Sequence, residues 1–180
     1  MNVEYCEIEG LKIFSPNVYE DNRGCFLELY KLTDYGITFV QDNVSYSSNG
    51  TVRGLHYQIG PNAQGKLVTA LTGSIYDVAV DIREGSPTFG KYHGVLLSGK
   101  NKKQFYIPPG FAHGFMALED DTCVMYKCTS QYDKASERSI LWDDKNINIK
   151  WPSHIKADDI SISDKDAVAP TLPDADVFPR

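Results

Sequence analysis

Short apolar runs of four to nine residues recur along the chain, with polar punctuation between them. LKIF, CFLELYK, VRGLHYQ, KLVTAL, SIYDVAVDI, GVLLS, QFYIP and TCVMYKC have the length and the β-branched or aromatic content of strands. Gly, Pro, Asn and Asp separate them, as turns require. No segment offers a long amphipathic helix, and the region around Lys31 to Tyr35 has room for one helical turn. Regular short strands with turn signals predict an all-β sandwich or barrel. From Trp151 onward the chain is richer in Asp, Ser and Pro, and is expected to lie over the surface as loops or a short turn.

Two of these strands carry unexpected residues. SIYDVAVDI puts Tyr76, Val78, Val80 and Ile82 on one face and Ile75, Asp77, Ala79 and Asp81 on the other. Two carboxylates on one face must meet either water or a polar cavity. VRGLHYQ, residues 52–58, alternates like a half-buried strand yet contains Arg53 and His56. On its own, His56 reads first as a hydrogen-bonded structural histidine, with a metal ligand or a catalytic base as the alternatives.

Composition narrows the field. The chain of 180 residues favours one domain with a sizeable core, and 42% hydrophobic and 23% charged residues are ordinary for a globular protein. A net charge of -6 argues against general nucleic-acid binding but leaves room for a local basic pocket. No apolar run is long enough to span a bilayer, and MNVEYCEIEG lacks the pattern of a signal peptide. Cys6, Cys25, Cys123 and Cys128 form no CxxC pair and are expected to be free thiols in a reducing cytoplasm.

The segments EDNRGCFLELY, FVQDNVSYSS, VRGLHYQ, AQGKLVTALTGSIYDVAVDIREGSPTFG, IPPGFAHGF, YKCTSQY, and ILWDD with IKWP follow one another in an order and spacing that resemble the dTDP-4-dehydrorhamnose 3,5-epimerase family. The resemblance runs from about Ile13 to Leu172. It implies a cupin-type jelly-roll β-barrel with a few short peripheral helices. The whole chain, 1–180, is then a single domain, with a barrel core at about 13–150 and a C-terminal segment, 151–180, packing near the active site. A homodimer with exchanged strands, a cytoplasmic location and no contact with nucleic acid or membrane are expected with it.

The family's substrate is a dTDP-linked 4-keto-6-deoxy sugar, whose ketone acidifies the hydrogens on both flanking carbons. Inverting either carbon needs a base on one face, a support for the developing enolate oxygen, and an acid on the other face. It needs no redox cofactor and no metal. The resemblance implies that His56 is the base, with Asp166 fixing its tautomer and Asp164 as the neighbouring alternative. Tyr126 matches the proton donor, Lys66 the cation at the carbonyl oxygen, and Asp77 an acid that orients Lys66. Arg23 and Arg53 match the diphosphate contacts, guanidinium forks being suited to paired phosphate oxygens. Gln41, Asn43 and His113 match ligand contacts, and Phe26 and Glu28 match residues that reach the base from the partner subunit. Tyr132 matches an aromatic near the nucleotide, Glu137 a nearby contact, and Lys165 a further diphosphate contact.

Two positions depart from the family pattern near the nucleotide end. Cys25 stands where an aromatic is usual, and Gln131 where many members have a second tyrosine. Three rival readings make different demands. A metal-dependent cupin would use His113 in PPGFAHGF, but its first half needs a His-x-His pair, and the chain has His56-Tyr57-Gln58 there. A sugar 3,4-ketoisomerase would share the proton chemistry, though those proteins resemble this chain less. A non-enzymatic sugar-nucleotide binder would need the arginines but not His56, Asp166, Tyr126 and Lys66 together.

Overall fold

The computed structural model describes residues 1–179. Its first sheet has six strands, in the spatial order β1 (Asn2–Tyr5), β2 (Lys12–Ser15), β10 (Gln104–Ile107), β7 (Lys66–Thr72), β12 (Thr122–Cys128) and β5 (Gln41–Ser47). The second has five: β13 (Glu137–Ser139), β6 (Val52–Gln58), β11 (Phe111–Ala117), β8 (Ser74–Asp81) and β9 (Tyr92–Ser98). A separate hairpin joins β3 (Val18–Asp21) to β4 (Gly24–Leu27). From β5 onward the chain steps back and forth between the two large sheets, giving the all-β jelly roll of the cupin kind. Only two short α-helices are present among the described residues, α1 (Leu32–Tyr35) and α2 (Asp164–Ala167). Among the described residues no helix is long and apolar enough to cross a membrane.

The apolar runs form two cores. Ile13, Val68, Ile75, Phe105, Phe115 and Val124 pack between the sheets. Leu55, Val78, Val80 and Ile82 point the other way and are covered by Ile140, Ile147, Ile149 and Leu172. The strand β8 is therefore buried on both faces. Its carboxylates do not meet water: Asp77 and Asp81 are both 0% exposed. Asp81 is satisfied locally, accepting hydrogen bonds from the Arg83 amide and guanidinium and from the Ser86 and Thr88 hydroxyls. Asp77 turns toward the space between the sheets.

The segment after Trp151 keeps the irregular structure that its composition predicts, but it also completes the second core. Leu172 is buried, and Trp151, Val177 and Phe178 pack partly against the same cluster. At β4 the expected strand CFLELYK stops at Leu27, and the chain turns away into α1. The polar strand β5 and the fully buried β11 are additional to the apolar runs read from sequence.

Candidate active site

A cleft of about 650 Å³ opens between the two sheets. One wall is formed by β6 and β11 of the five-stranded sheet, and the other by β5, β7 and β12 of the six-stranded sheet. Residues 161–166, including the start of α2, close one side.

Strict alternation would place Arg53 and His56 on opposite faces of β6. The structure places both on the cleft, because the register shifts between them. His113 faces His56 and Phe115 faces Arg53, so three steps on β6 span two on β11. This extra residue is a bulge, a device that re-aims side chains beside active sites. Gly54 lies inside it with φ +127, and a Cβ there would come within 2.5 Å of Gly114 Cα. The close approach leaves no space for a side chain.

His56 Nε2 lies 2.7 Å from Asp166 Oδ1. The other carboxylate oxygen of Asp166 accepts from the Gly54 amide at 3.3 Å. Ser163 caps α2, its hydroxyl accepting from the Asp166 amide at 3.2 Å. Burial would raise the Asp166 carboxyl, but the bond to His56 and that residue's charge, with the Gly54 amide, outweigh it and hold the carboxyl below its ordinary value. The Nε2 proton of His56 then donates to Asp166, and Nδ1 carries the lone pair. The rival carboxylate, Asp164, makes no bond to His56.

Directly across from His56, a second histidine is held by a second carboxylate. His113 Nε2 lies 2.7 Å from Asp77 Oδ1, and both side chains are buried. The structure thus corrects one expectation: the hydrogen bond of Asp77 goes to His113, and Lys66 feels Asp77 only through its charge. Asp77 Oδ2 is buried without a hydrogen-bond partner. Burial raises the Asp77 carboxyl against the pull of His113 and Lys66, and burial lowers both His113 and Lys66. An ammonium so placed gains from any negative charge that develops nearby.

Tyr126 stands on the opposite wall from His56. Its hydroxyl lies 2.5 Å from Ser45 Oγ on the neighbouring strand. Its ring meets the His113 ring edge-on, with centroids 6.3 Å apart. Burial pushes the phenol up to about 12, against the Ser45 hydrogen bond and the charge of Arg53. Tyr126 is therefore a protonated donor at neutral pH.

The remaining expected residues divide into two groups. Arg53, Asn43, Tyr132, Glu137 and Lys165 line the cleft. Arg53 is braced by Ser47 Oγ and the Tyr46 carbonyl. Lys165 donates to Glu137 at 2.6 Å, and the Tyr132 hydroxyl donates to the same carboxylate at 3.2 Å. Gln41 lies behind this rim, donating to Asn43 and accepting from the Tyr132 amide. Arg23, Phe26 and Glu28 are not brought to the cleft within one chain. Arg23 and Phe26 line a depression on the exposed β3–β4 hairpin with Cys25, and Glu28 lines another beside α1. Arg23 pairs with Asp21 at 2.6 Å instead.

Sequence reasoning missed Ser45 and Ser163. Both had a signal. Gln41, Asn43, Ser45 and Ser47 follow a period of two, which places them on one face of a strand. Ser163 precedes Asp166 by three residues, the spacing of a helix cap. Among the described residues no group of three or more His, Cys, Asp or Glu side chains is placed to hold a metal ion.

A family model described as dTDP-4-dehydrorhamnose 3,5-epimerase matches residues 5–174. A protein of that description from Shigella flexneri is 49% identical over 184 residues, covering 99% of each chain. The crystal structure of dTDP-6-deoxy-D-glucose-3,5-epimerase from Legionella pneumophila, in complex with dTDP-4-keto-L-rhamnose, is 48% identical, with a TM-score of 0.93 over 99% of this chain and 97% of that one. A 3'-monoepimerase from Streptomyces bikiniensis, in complex with dTDP-quinovose, is 34% identical, with a TM-score of 0.86 over 93% of this chain and 86% of that one.

Proposed function

The chain belongs to the dTDP-4-dehydrorhamnose 3,5-epimerase family and catalyses that isomerisation, and within it we propose that His56 is the base, Tyr126 the acid and Lys66 the support of the oxyanion. The substrate is dTDP-4-dehydro-6-deoxy-D-glucose and the product dTDP-4-dehydro-L-rhamnose.

One observation carries the assignment: the base and the acid stand on facing sheets. His56 projects from β6 and Tyr126 from β12, and both line the same cleft. A sugar ring held between them presents opposite faces to the two groups, as inversion requires. His56 Nδ1 removes the proton from a carbon beside the ketone. The electron pair moves into the ring and onto the carbonyl oxygen, forming an enolate. Lys66, whose cross-strand neighbour is Cys128 two residues beyond Tyr126, supplies positive charge on that wall. Tyr126 then delivers its phenolic proton to the opposite face. Asp166 positions His56 and stabilises the imidazolium. Asp77 positions His113, which contacts the ligand.

Arg53 and Lys165 at the rim are suited to the diphosphate, and Tyr132 and Glu137 to the nucleoside. Arg23, Phe26 and Glu28 lie away from their own chain's cleft, which supports a homodimer whose hairpins reach across to the partner's nucleotide end. No redox cofactor or metal enters this chemistry. A dTDP-sugar substrate supports a cytoplasmic location for the enzyme.

Proton NMR of the substrate with the enzyme in deuterated water tests the reading. Deuterium at both carbons 3 and 5, with a reductase-coupled assay confirming the rhamno product, is the expected result. Exchange at one carbon only would make this a single-centre epimerase, and no exchange would leave a sugar-nucleotide binder.

A further inference from the structure

Double inversion sets a requirement that a single inversion does not. Two protons must leave through the base and two must arrive through the acid. The acid must therefore be recharged while the half-converted sugar still fills the cleft. The base has an easy route, since the His56 side chain is 31% exposed. Tyr126 opens only onto the cleft that the sugar fills, and its ring lies beside His113 and Phe115. The one side chain that touches its hydroxyl among the described residues is Ser45, at 2.5 Å.

We propose that Ser45 is the proton relay that recharges Tyr126 between the two inversions, an inference that rests on Tyr126 being the acid. A serine hydroxyl donates and accepts at once. As Tyr126 gives its proton to the sugar carbon, the Ser45 O–H passes its proton to the phenolate oxygen. Ser45 Oγ regains a proton from water, and the hydroxide left is neutralised by the proton that His56 releases. Serine is unchanged and the balance closes. The placement supports this role. Ser45 lies on β5, the last strand of its sheet, facing Val124 of β12 one pleat away from the Asn43–Tyr126 pair. No other described side chain occupies its hydroxyl, which leaves that group a site for water. The high pKa of the phenol, about 12, makes a lingering phenolate costly and a prompt donor useful.

The test compares Ser45→Ala, Ser45→Thr and Tyr126→Phe in single turnovers in deuterated water, following singly and doubly inverted sugar by NMR. Ser45→Ala should slow the second inversion more than the first and raise the ratio of singly to doubly inverted product by about tenfold or more. Ser45→Thr, which keeps the hydroxyl, should restore the ratio. A hydroxyl that merely orients Tyr126 would slow both inversions equally in Ser45→Ala and leave the ratio unmoved, and that result overturns the relay. A Tyr126→Phe variant with wild-type double inversion would overturn the acid assignment itself. An impaired Tyr126→Phe beside a wild-type ratio in Ser45→Ala would remove the relay alone.

Discussion

His56 and Asp166 are 110 residues apart in the chain and 2.7 Å apart in the cleft. The first sits on a central strand of the barrel wall and the second on a helix of a single turn. A four-residue helix has too few internal hydrogen bonds to persist alone. It holds here because Ser163 caps it and the buried Asp166 grips β6 twice, at His56 and at the Gly54 amide.

Asp166→Asn should keep the fold and lose turnover. The amide preserves the shape but can present its NH₂ to the ring and favour the wrong tautomer. The expected fall in kcat is ~10²–10⁴-fold, with a smaller change in KM. Steady-state kinetics beside circular dichroism checks it; a large loss of structure would instead make Asp166 a folding residue.

Tyr126→Phe separates the two halves of the reaction. With His56 as the proposed base, proton abstraction should survive better than full inversion. Washout of substrate hydrogen into deuterated water is expected to exceed product formation by a wide margin. Equal loss of both would remove Tyr126 from the role of acid.

Asp81→Asn should destabilise without altering the cleft. The carboxylate is buried and takes hydrogen bonds from Arg83, Ser86 and Thr88, so the change costs roughly 3 kcal/mol. Although burial opposes ionisation, these bonds hold the carboxyl at about 2 in the folded protein, against ~3.9 in an unfolded chain. The unfolded state then binds more protons between those values. The stabilisation is complete above pH ~4 and is lost as pH falls toward 2. Urea titrations of both proteins across pH 2–5 should show the stability gap closing in that direction.

Mixing two inactive variants tests the hairpin exchange. His56→Ala and a doubly substituted Arg23→Ala, Phe26→Ala chain should each be dead or badly impaired. Co-refolded, half of the dimers would be mixed, and each mixed dimer would hold one intact cleft. Recovery to about a quarter of wild-type activity is expected for a two-fold dimer. No recovery would mean that each hairpin serves its own chain or none.

Much of the fold was legible in the sequence because successive side chains of a strand alternate between its two faces and leave a period-two trace. SIYDVAVDI left that trace, and its two carboxylates pointed to a polar cavity or water. Only three-dimensional packing could decide between these, since Asp77 meets His113 from another strand while Asp81 meets its own following loop. The bulge in β6 was hidden for a related reason. Alternation within VRGLHYQ says nothing of the partner strand, and the register shift exists only in the pairing with β11. Ser45 escaped notice because β5 is mostly polar and reads as a loop. The resemblance to a family supplied residues such as Arg23 and Phe26, which one chain holds on an exposed hairpin away from its own cleft.

The docking of α2 has a consequence for how the molecule would fail under stress. Backbone hydrogen bonds pin the chain at Ser161, which accepts from Val52, and at Pro170, which accepts from Leu141. Between these two anchors, side chains do most of the holding. Local opening of such a stretch costs less than global unfolding. In mild denaturant or modest heat, turnover should therefore vanish while the barrel still gives a native spectrum, making activity an early gauge of damage that bulk optical probes register late.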